Sequence, residues 1–291
     1  MSIDKLQNQI RKLKNPSAVR FCLNKAQIPP QFLEKTDSIT DAYCLYAKAL
    51  LEALKGIVPA VRFGFASFAV HGTSAMSVLE QLLSYASERG FYVLMDVPEI
   101  LSAVDANLMA EALFEEEKWQ FDGLVLSFYV GSDAVKPFVS QLKKNSKDIF
   151  LMVRSGNKSA PELQDLLTGS RLVYTVAADF AKRLGDNYIE RNGYSRIAGI
   201  GPATSADVLR SLRGKYPNLF LLIDGYDYSG ANAKNCSYAF DKLGHGAIAC
   251  AEEAILSAWK EDIVGDADAI ALSLQAAERM KKNLLRYITI L

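Results

Sequence analysis

Short runs of apolar residues alternate with longer amphipathic stretches along nearly the whole chain. The runs are AVRFCL (18–23), VPAVRFG (58–64), FYVLMD (91–96), GLVLS (123–127), IFLMVR (149–154), RIAGIG (196–201), LFLLID (219–224) and GAIAC (246–250). Each is nearly continuous in Val, Ile, Leu, Phe or Ala, as expected of a parallel strand covered on both faces. Between the runs, apolar positions recur at helical spacing. Residues 40–56 carry Ala42, Leu45, Tyr46, Ala49, Leu50 and Leu54 at that period, and 74–88 repeat it with Met76, Leu79, Leu82, Leu83 and Ala86. The same reading predicts helices over 101–117, 132–144, 171–185, 204–213, 232–243 and 266–286. Eight alternations of strand and helix imply parallel strands joined by crossover helices. Their number and size match a (β/α)8 TIM barrel. An open doubly wound sheet is the alternative, but no GxGxxG follows the first strand to support it. The first dozen residues form an extra amphipathic helix, expected to plug the bottom of the barrel. No linker interrupts the pattern, so residues 1–291 read as a single domain.

Composition narrows the function. Of 291 residues half are hydrophobic, and 33 basic side chains balance 33 acidic ones. That balance argues against nucleic acid as a partner, because phosphate backbones select a basic excess or stripe. The nearest approach to a charge run, Glu115-Glu116-Glu117-Lys118, reads as a solvated helix end. No stretch of about 18 apolar residues is present, so no membrane partner is expected. The charged N-terminus lacks the apolar core of a secretory signal. Four cysteines without a CxxC pair fit reduced thiols in a cytoplasmic protein. With only His71 and His245 available, a histidine triad or metal centre has little to build on. Neither a metal nor a cofactor is expected.

In a barrel of this kind chemistry sits at the C-terminal ends of the strands. Those ends offer Cys22 and Asn24, Arg62, Asp96 and Glu99, Ser127 and Tyr129, Arg154 and Ser155, Gly201, Asp224 and Gly225, and Cys250 with Glu252 and Glu253. Asp96 and Glu99 are either an acid pair with a function or a strand-end Asp followed by a helix-starting Glu, which the helix dipole favours. Arg62 is either an anion ligand or a salt-bridge partner of Asp96. Gly225 and Gly230 frame either a phosphate cradle or an ordinary turn. Gly131-Ser132-Asp133 reads as a helix N-cap. Tyr129, Tyr226 and Tyr228 either stack on a ligand or pack at the rim.

Six segments in order carry a resemblance: SIDKLQNQIRKLKNPSAV at the start, VPAVRFG, YVGSDAVKPF (129–138), NGYSRIAGIG, NLFLLIDGYDYSGANAKN and GAIACAEEAI. Over essentially its whole length the chain resembles the orotidine 5'-phosphate decarboxylase family, in particular its longer bacterial group. The resemblance implies a (β/α)8 barrel, a homodimer with sites near the interface, a nucleotide-like or small anionic ligand, and descent from pyrimidine nucleotide synthesis. It also implies an alternating Asp-Lys-Asp-Lys network whose last Asp comes from the neighbouring subunit, with a lysine that protonates the carbon left by the departing carboxylate.

The matching positions differ here. The motif Asp-Ala-Lys-Arg-Gly-Asp is replaced by Asp96-Val97-Pro98-Glu99, where Glu99 stands for the last aspartate only across a two-residue deletion. The second-strand lysine is replaced by Arg62, and the first-strand aspartate by Cys22. Arginine keeps its charge but does not release a proton near neutral pH. In the phosphate loop, Gly225-Tyr226-Asp227-Tyr228-Ser229-Gly230 keeps the glycines, Ser229 takes the glutamine's place, and Glu253, preceded by Glu252, takes that of the gripping arginine. Ser155 keeps the base-recognition hydroxyl. The expected site is therefore Asp96, Glu99 and Arg62 with Ser155, Gly225, Tyr226, Ser229, Gly230 and Glu253. It fits a divergent member with weak or absent decarboxylase activity. The alternatives are a working decarboxylase with a substitute donor such as Lys25 or Lys158, a metal-dependent lyase or synthase using Asp96 and Glu99, and a non-catalytic partner or ligand-binding barrel.

Overall fold

A computed structural model describes residues 2–115, 118–226, 228–261 and 268–291. Eight parallel strands close into a barrel: β1 (Ser17–Phe21), β2 (Ala60–Phe63), β3 (Tyr92–Asp96), β4 (Gly123–Ser127), β5 (Asp148–Met152), β6 (Ile197–Pro202), β7 (Leu221–Asp224) and β8 (Ala247–Ala251). Each strand pairs with its sequence neighbours, and β1 closes the ring against β8 in the register Ala18–Cys250. The strands are buried almost throughout, β2 and β6 at every residue. Continuous apolar runs are what this position demands, since one face fills the barrel and the other meets the helices.

The helical layer follows from capped amphipathic segments. Helix α2 (Ile39–Leu54) starts at Ser38, whose side chain accepts from the Asp41 amide, and buries Ala42, Tyr46, Leu50 and Leu54. Helix α3 (Thr73–Glu88) buries Leu79, Leu82, Leu83 and Ala86. Helices α4 (Ala103–Glu115), α5 (Val173–Gly185), α6 (Ala206–Lys215) and α7 (Ala269–Leu285) complete the long ones. Ser205 and Asp268 cap the last two by accepting from the amides of Val208 and Ile270. None of the described helices is long and apolar enough to cross a membrane.

The N-terminal helix α1 (Ser2–Leu13) lies across the N-terminal ends of the strands, as expected. Ile3, Leu6 and Ile10 are buried. Lys5 Nζ pairs with Asp122, ahead of β4, at 2.8 Å, and Gln7 accepts from the Gly246 amide, ahead of β8, at 2.9 Å. Asp4 accepts from the amides of Arg191 and Asn192. The plug covers a buried polar cluster in which the Tyr92 hydroxyl donates to Asp148 at 2.5 Å and Arg196 lies 3.5 Å from the other carboxylate oxygen.

Several elements are shorter than the pattern suggests. β1 ends at Phe21, because the Leu23 amide turns away from the sheet to the Ser67 hydroxyl. The span 132–144 divides into a 3-10 turn, Ser132–Ala134, and a short helix, Lys136–Gln141, with Pro137 in its first turn. The Gly131-Ser132-Asp133 motif makes no side-chain cap there. The span 232–243 is helical only over Ala233–Ser237, since Asp241 gathers the amides of Leu243 and His245 into a turn. Glu116, Glu117, Asp227 and the first residues of the 266–286 span lie outside the described residues.

Candidate active site

Alternation along β1 aims Arg20 and Cys22 at the barrel axis, and β2 aims Arg62 from the register position beside Arg20. Opposite charges arrive at the same height: Asp96 at the end of β3, Asp224 at the end of β7 and Glu252 just past β8. The five form one chain of ion pairs. Arg62 donates from Nε to Asp96 at 2.5 Å and from a terminal nitrogen to Asp224 at 3.0 Å. Arg20 donates to the other oxygen of Asp96 at 2.9 Å and to Glu252 at 2.6 Å. Gln27, from the loop after β1, donates its amide to the remaining oxygen of Glu252 at 3.2 Å, and the Cys22 thiol lies 3.6 Å from the oxygen that Arg20 holds.

Arg62 is only 4% exposed. Burial alone works against its charge, but the carboxylates of Asp224 and Asp96 outweigh it and hold the guanidinium protonated well above its ordinary range. Arg20 behaves alike: burial and Arg62 press its pKa down, and Asp96, Cys22 and Glu252 raise it further. Asp224 is depressed despite burial, through Arg62 and Arg20. Burial pushes the thiols of Cys22 and Cys250 up to about 12, so both are neutral and unreactive at the barrel mouth. Two guanidiniums and three carboxylates thus satisfy one another, and neither arginine releases a proton near pH 7.

Beside this network a cavity of about 900 Å³ opens over the ends of β5 to β8, with Ser155, Gly225, Tyr226, Ser229 and Glu253 in its wall. Gly225 and Gly230 adopt φ of +81° and +84°, which an L side chain rarely tolerates, and the turn they frame is closed by the Ala231 amide donating to the Tyr228 carbonyl. Tyr226 is buried. Ser155 is held by Gln164, which accepts from its amide at 2.8 Å and donates to its hydroxyl at 2.9 Å. Arg154 braces the same loop through two bonds to Asp165, at 3.0 and 2.9 Å.

The structure therefore unites Asp96 and Arg62 in one cluster and gathers Ser155, Gly225, Tyr226, Ser229 and Glu253 around one cavity. Glu99 is in neither group: it is exposed and has no ion-pair partner among the described residues. Both oxygens of Asp96 face arginines, so the two acids do not converge. Of the neighbouring acids Glu252 enters the network, while Glu253 stands exposed at the cavity rim. Tyr129 donates its hydroxyl to the Val153 carbonyl, a packing role. Arg20, Asp224 and Glu252 complete the network but were absent from the expected site. Counting inward positions in RFCL would have flagged Arg20, two residues before Cys22 on the same face.

Curated relatives of this chain are orotidine 5'-phosphate decarboxylases. That of Clostridium perfringens is 28% identical over 261 residues, covering 89% of this chain and 90% of its own length. That of Clostridium novyi is 26% identical over 285 residues, covering 98% of each. Over nearly its whole length the chain is thus similar to orotidine 5'-phosphate decarboxylases. No protein-family profile matches the sequence. Solved structures support the barrel. The Leishmania donovani OMP decarboxylase superposes with a TM-score of 0.74 at 20% identity, covering 98% of this chain and 99% of its own. The orotidine 5'-monophosphate decarboxylase of Plasmodium berghei gives 0.75 at 12% identity, covering 98% of each chain. Beside this similarity, the barrel has two arginines and three acids paired at its mouth.

Proposed function

We propose that this chain is a divergent orotidine 5'-phosphate decarboxylase relative that has lost most or all decarboxylation and keeps a binding pocket for a nucleoside-like ligand of low negative charge. The observation that carries this reading is Arg62. It stands where the family's lysine is expected, and it bridges Asp96 and Asp224 so fully that its proton is held rather than offered. The lysines considered as substitute donors, Lys25 and Lys158, are exposed, and neither lines the cavity. The substrate of a decarboxylase brings a carboxylate and a phosphate. At this mouth it meets Asp96, Asp224 and Glu252 with both nearby guanidiniums already engaged.

The protein acts as a homodimer. Val104 and Leu108, one turn apart in α4, and Leu101, just before the helix, lie 69%, 61% and 75% exposed, shortly after Asp96–Glu99. Such a contiguous apolar stripe is the kind of surface a second copy covers.

The test is a spectrophotometric assay of the purified protein with orotidine 5'-phosphate. The expected result is no turnover above the uncatalysed background. Turnover that disappears in Asp96→Ala would refute the reading.

A further inference from the structure

The chain carries no net charge, but the fold does not spread its charges evenly. At the end of the barrel opposite the mouth, the end of α1 and the end of α7 meet at one corner. Lys281 donates to the Leu13 carbonyl at 2.9 Å, and Lys14 to the Ile290 carbonyl at 2.8 Å, so the two segments are tied together. The corner takes Arg11, Lys12 and Lys14 from one side and Lys281, Lys282 and Arg286 from the other. None of these has an ion-pair partner among the described residues, and all but the half-buried Lys281 are exposed. Acids on the adjoining segments are mostly engaged elsewhere. Asp241 accepts from the Tyr194 hydroxyl and the amides of Leu243 and His245, and Glu52, near the end of α2, pairs with Arg89. Glu278, exposed on α7, has no ion pair among the described residues and offsets one of the cations.

The dipoles of α1 and α7 account for cations in their last turns. They do not account for the apolar side chains set among them. Leu243, ahead of β8, and Tyr287, just past α7, are each about half exposed. Leu291 is exposed beside them, and its amide donates to the Leu243 carbonyl at 3.1 Å. Lys242, next to Leu243, adds a further exposed cation. An anionic phospholipid surface uses both kinds of group. Its headgroups attract the lysines and arginines, and leucine and tyrosine side chains enter the headgroup layer. A nucleic acid duplex would use the cations through its phosphates and leave the leucines without a role.

We propose that this corner, formed by the ends of α1 and α7 with Leu243 and Tyr287, docks the barrel peripherally on an anionic membrane surface. The mouth then faces away from the lipid. The proposal concerns the end of the barrel opposite the cavity and does not depend on what the cavity binds.

The experiment is co-sedimentation of the full chain with vesicles of phosphatidylcholine alone and of phosphatidylcholine with phosphatidylserine, alongside fluorescence anisotropy with a duplex DNA of arbitrary sequence. The chain is expected to bind the phosphatidylserine vesicles about tenfold or more tighter than the neutral ones, and less tightly as salt rises. One cation near such a surface changes affinity by about fivefold, so Lys12→Gln combined with Lys282→Gln should weaken binding by more than about tenfold. Leu243→Ser combined with Tyr287→Ser should weaken it by about tenfold through lost apolar contact. All four positions are exposed, so the melting temperature should hold in both variants. Equal binding to the two kinds of vesicle, or to neither, overturns the proposal. So does phosphatidylserine binding that either double variant leaves unchanged. Tighter binding to the duplex than to the vesicles assigns the corner to nucleic acid and overturns the membrane reading.

Discussion

At Arg62 an internal cation is held by two acids in a setting water hardly reaches. Buried ion pairs add little net stability when formed, but removing one partner strands the others. Arg62→Met is therefore expected to lower unfolding free energy by about 3–5 kcal/mol, read from urea denaturation midpoints. Adding Asp224→Asn should recover part of that loss, because it removes the carboxylate left without its partner; no recovery would mean that Asp224 is not coupled to Arg62. The pair Arg62 and Asp96 was legible as an alternative in the sequence, since both sit at strand ends. Arg20 was not, because a cation followed by Phe21 and Cys22 reads as part of an apolar run until the strand's alternation is counted from the barrel axis. Asp224 was visible as a strand end, but only the closed sheet shows that it faces β2.

Strands and long helices follow from residue spacing more directly than the short pieces do. The buried runs of β1 to β8 and the capped helices α2, α6 and α7 had both periodicity and start signals. The helices after β4 and β7 did not, because local turn chemistry at Pro137 and Asp241 divides or ends them regardless of apolar spacing. Helix α4 shows the reverse case. Its apolar spacing is regular, but Val104 and Leu108, with Leu101 just ahead of the helix, are exposed, so they do not pack on the core and are the surface the proposed dimer would cover. Light scattering of the purified chain should give the mass of a dimer. Leu108→Glu, which places a charge in the middle of the stripe, should shift it to monomer with little change in thermal stability. A wild-type monomer would leave the stripe without this explanation.

Across the whole barrel, polar groups are segregated to its two ends. The upper end holds the arginine and acid chain, and the lower end, under α1, holds Asp148 with Tyr92 and Arg196. Burial raises the Asp148 carboxyl to about 7, with the Tyr92 bond and Arg196 acting in the opposite direction. Its folded pKa lies above the unfolded value of roughly 3.9, so the folded chain holds the extra proton between the two. The resulting stabilisation is complete below about pH 4 and is lost as pH rises through 7. Thermal melts should therefore show a fall in Tm between pH 5 and pH 8 that is flatter in Asp148→Asn. Equal slopes would mean that Asp148 does not carry the effect. Neither polar end could be assembled from the sequence alone, because the partners lie 34 to 232 positions apart and meet only when the sheet closes.

The chain from Asp224 through Arg62, Asp96 and Arg20 to Glu252 crosses the mouth from β7 to β2 and β3 and returns through β1 to the end of β8. A catalyst holds some of its charge in tension until substrate arrives, and that tension costs the resting fold stability. Here the tension has been resolved internally, so the mouth is already at rest when empty. Its amides should be among the last in the molecule to exchange with solvent.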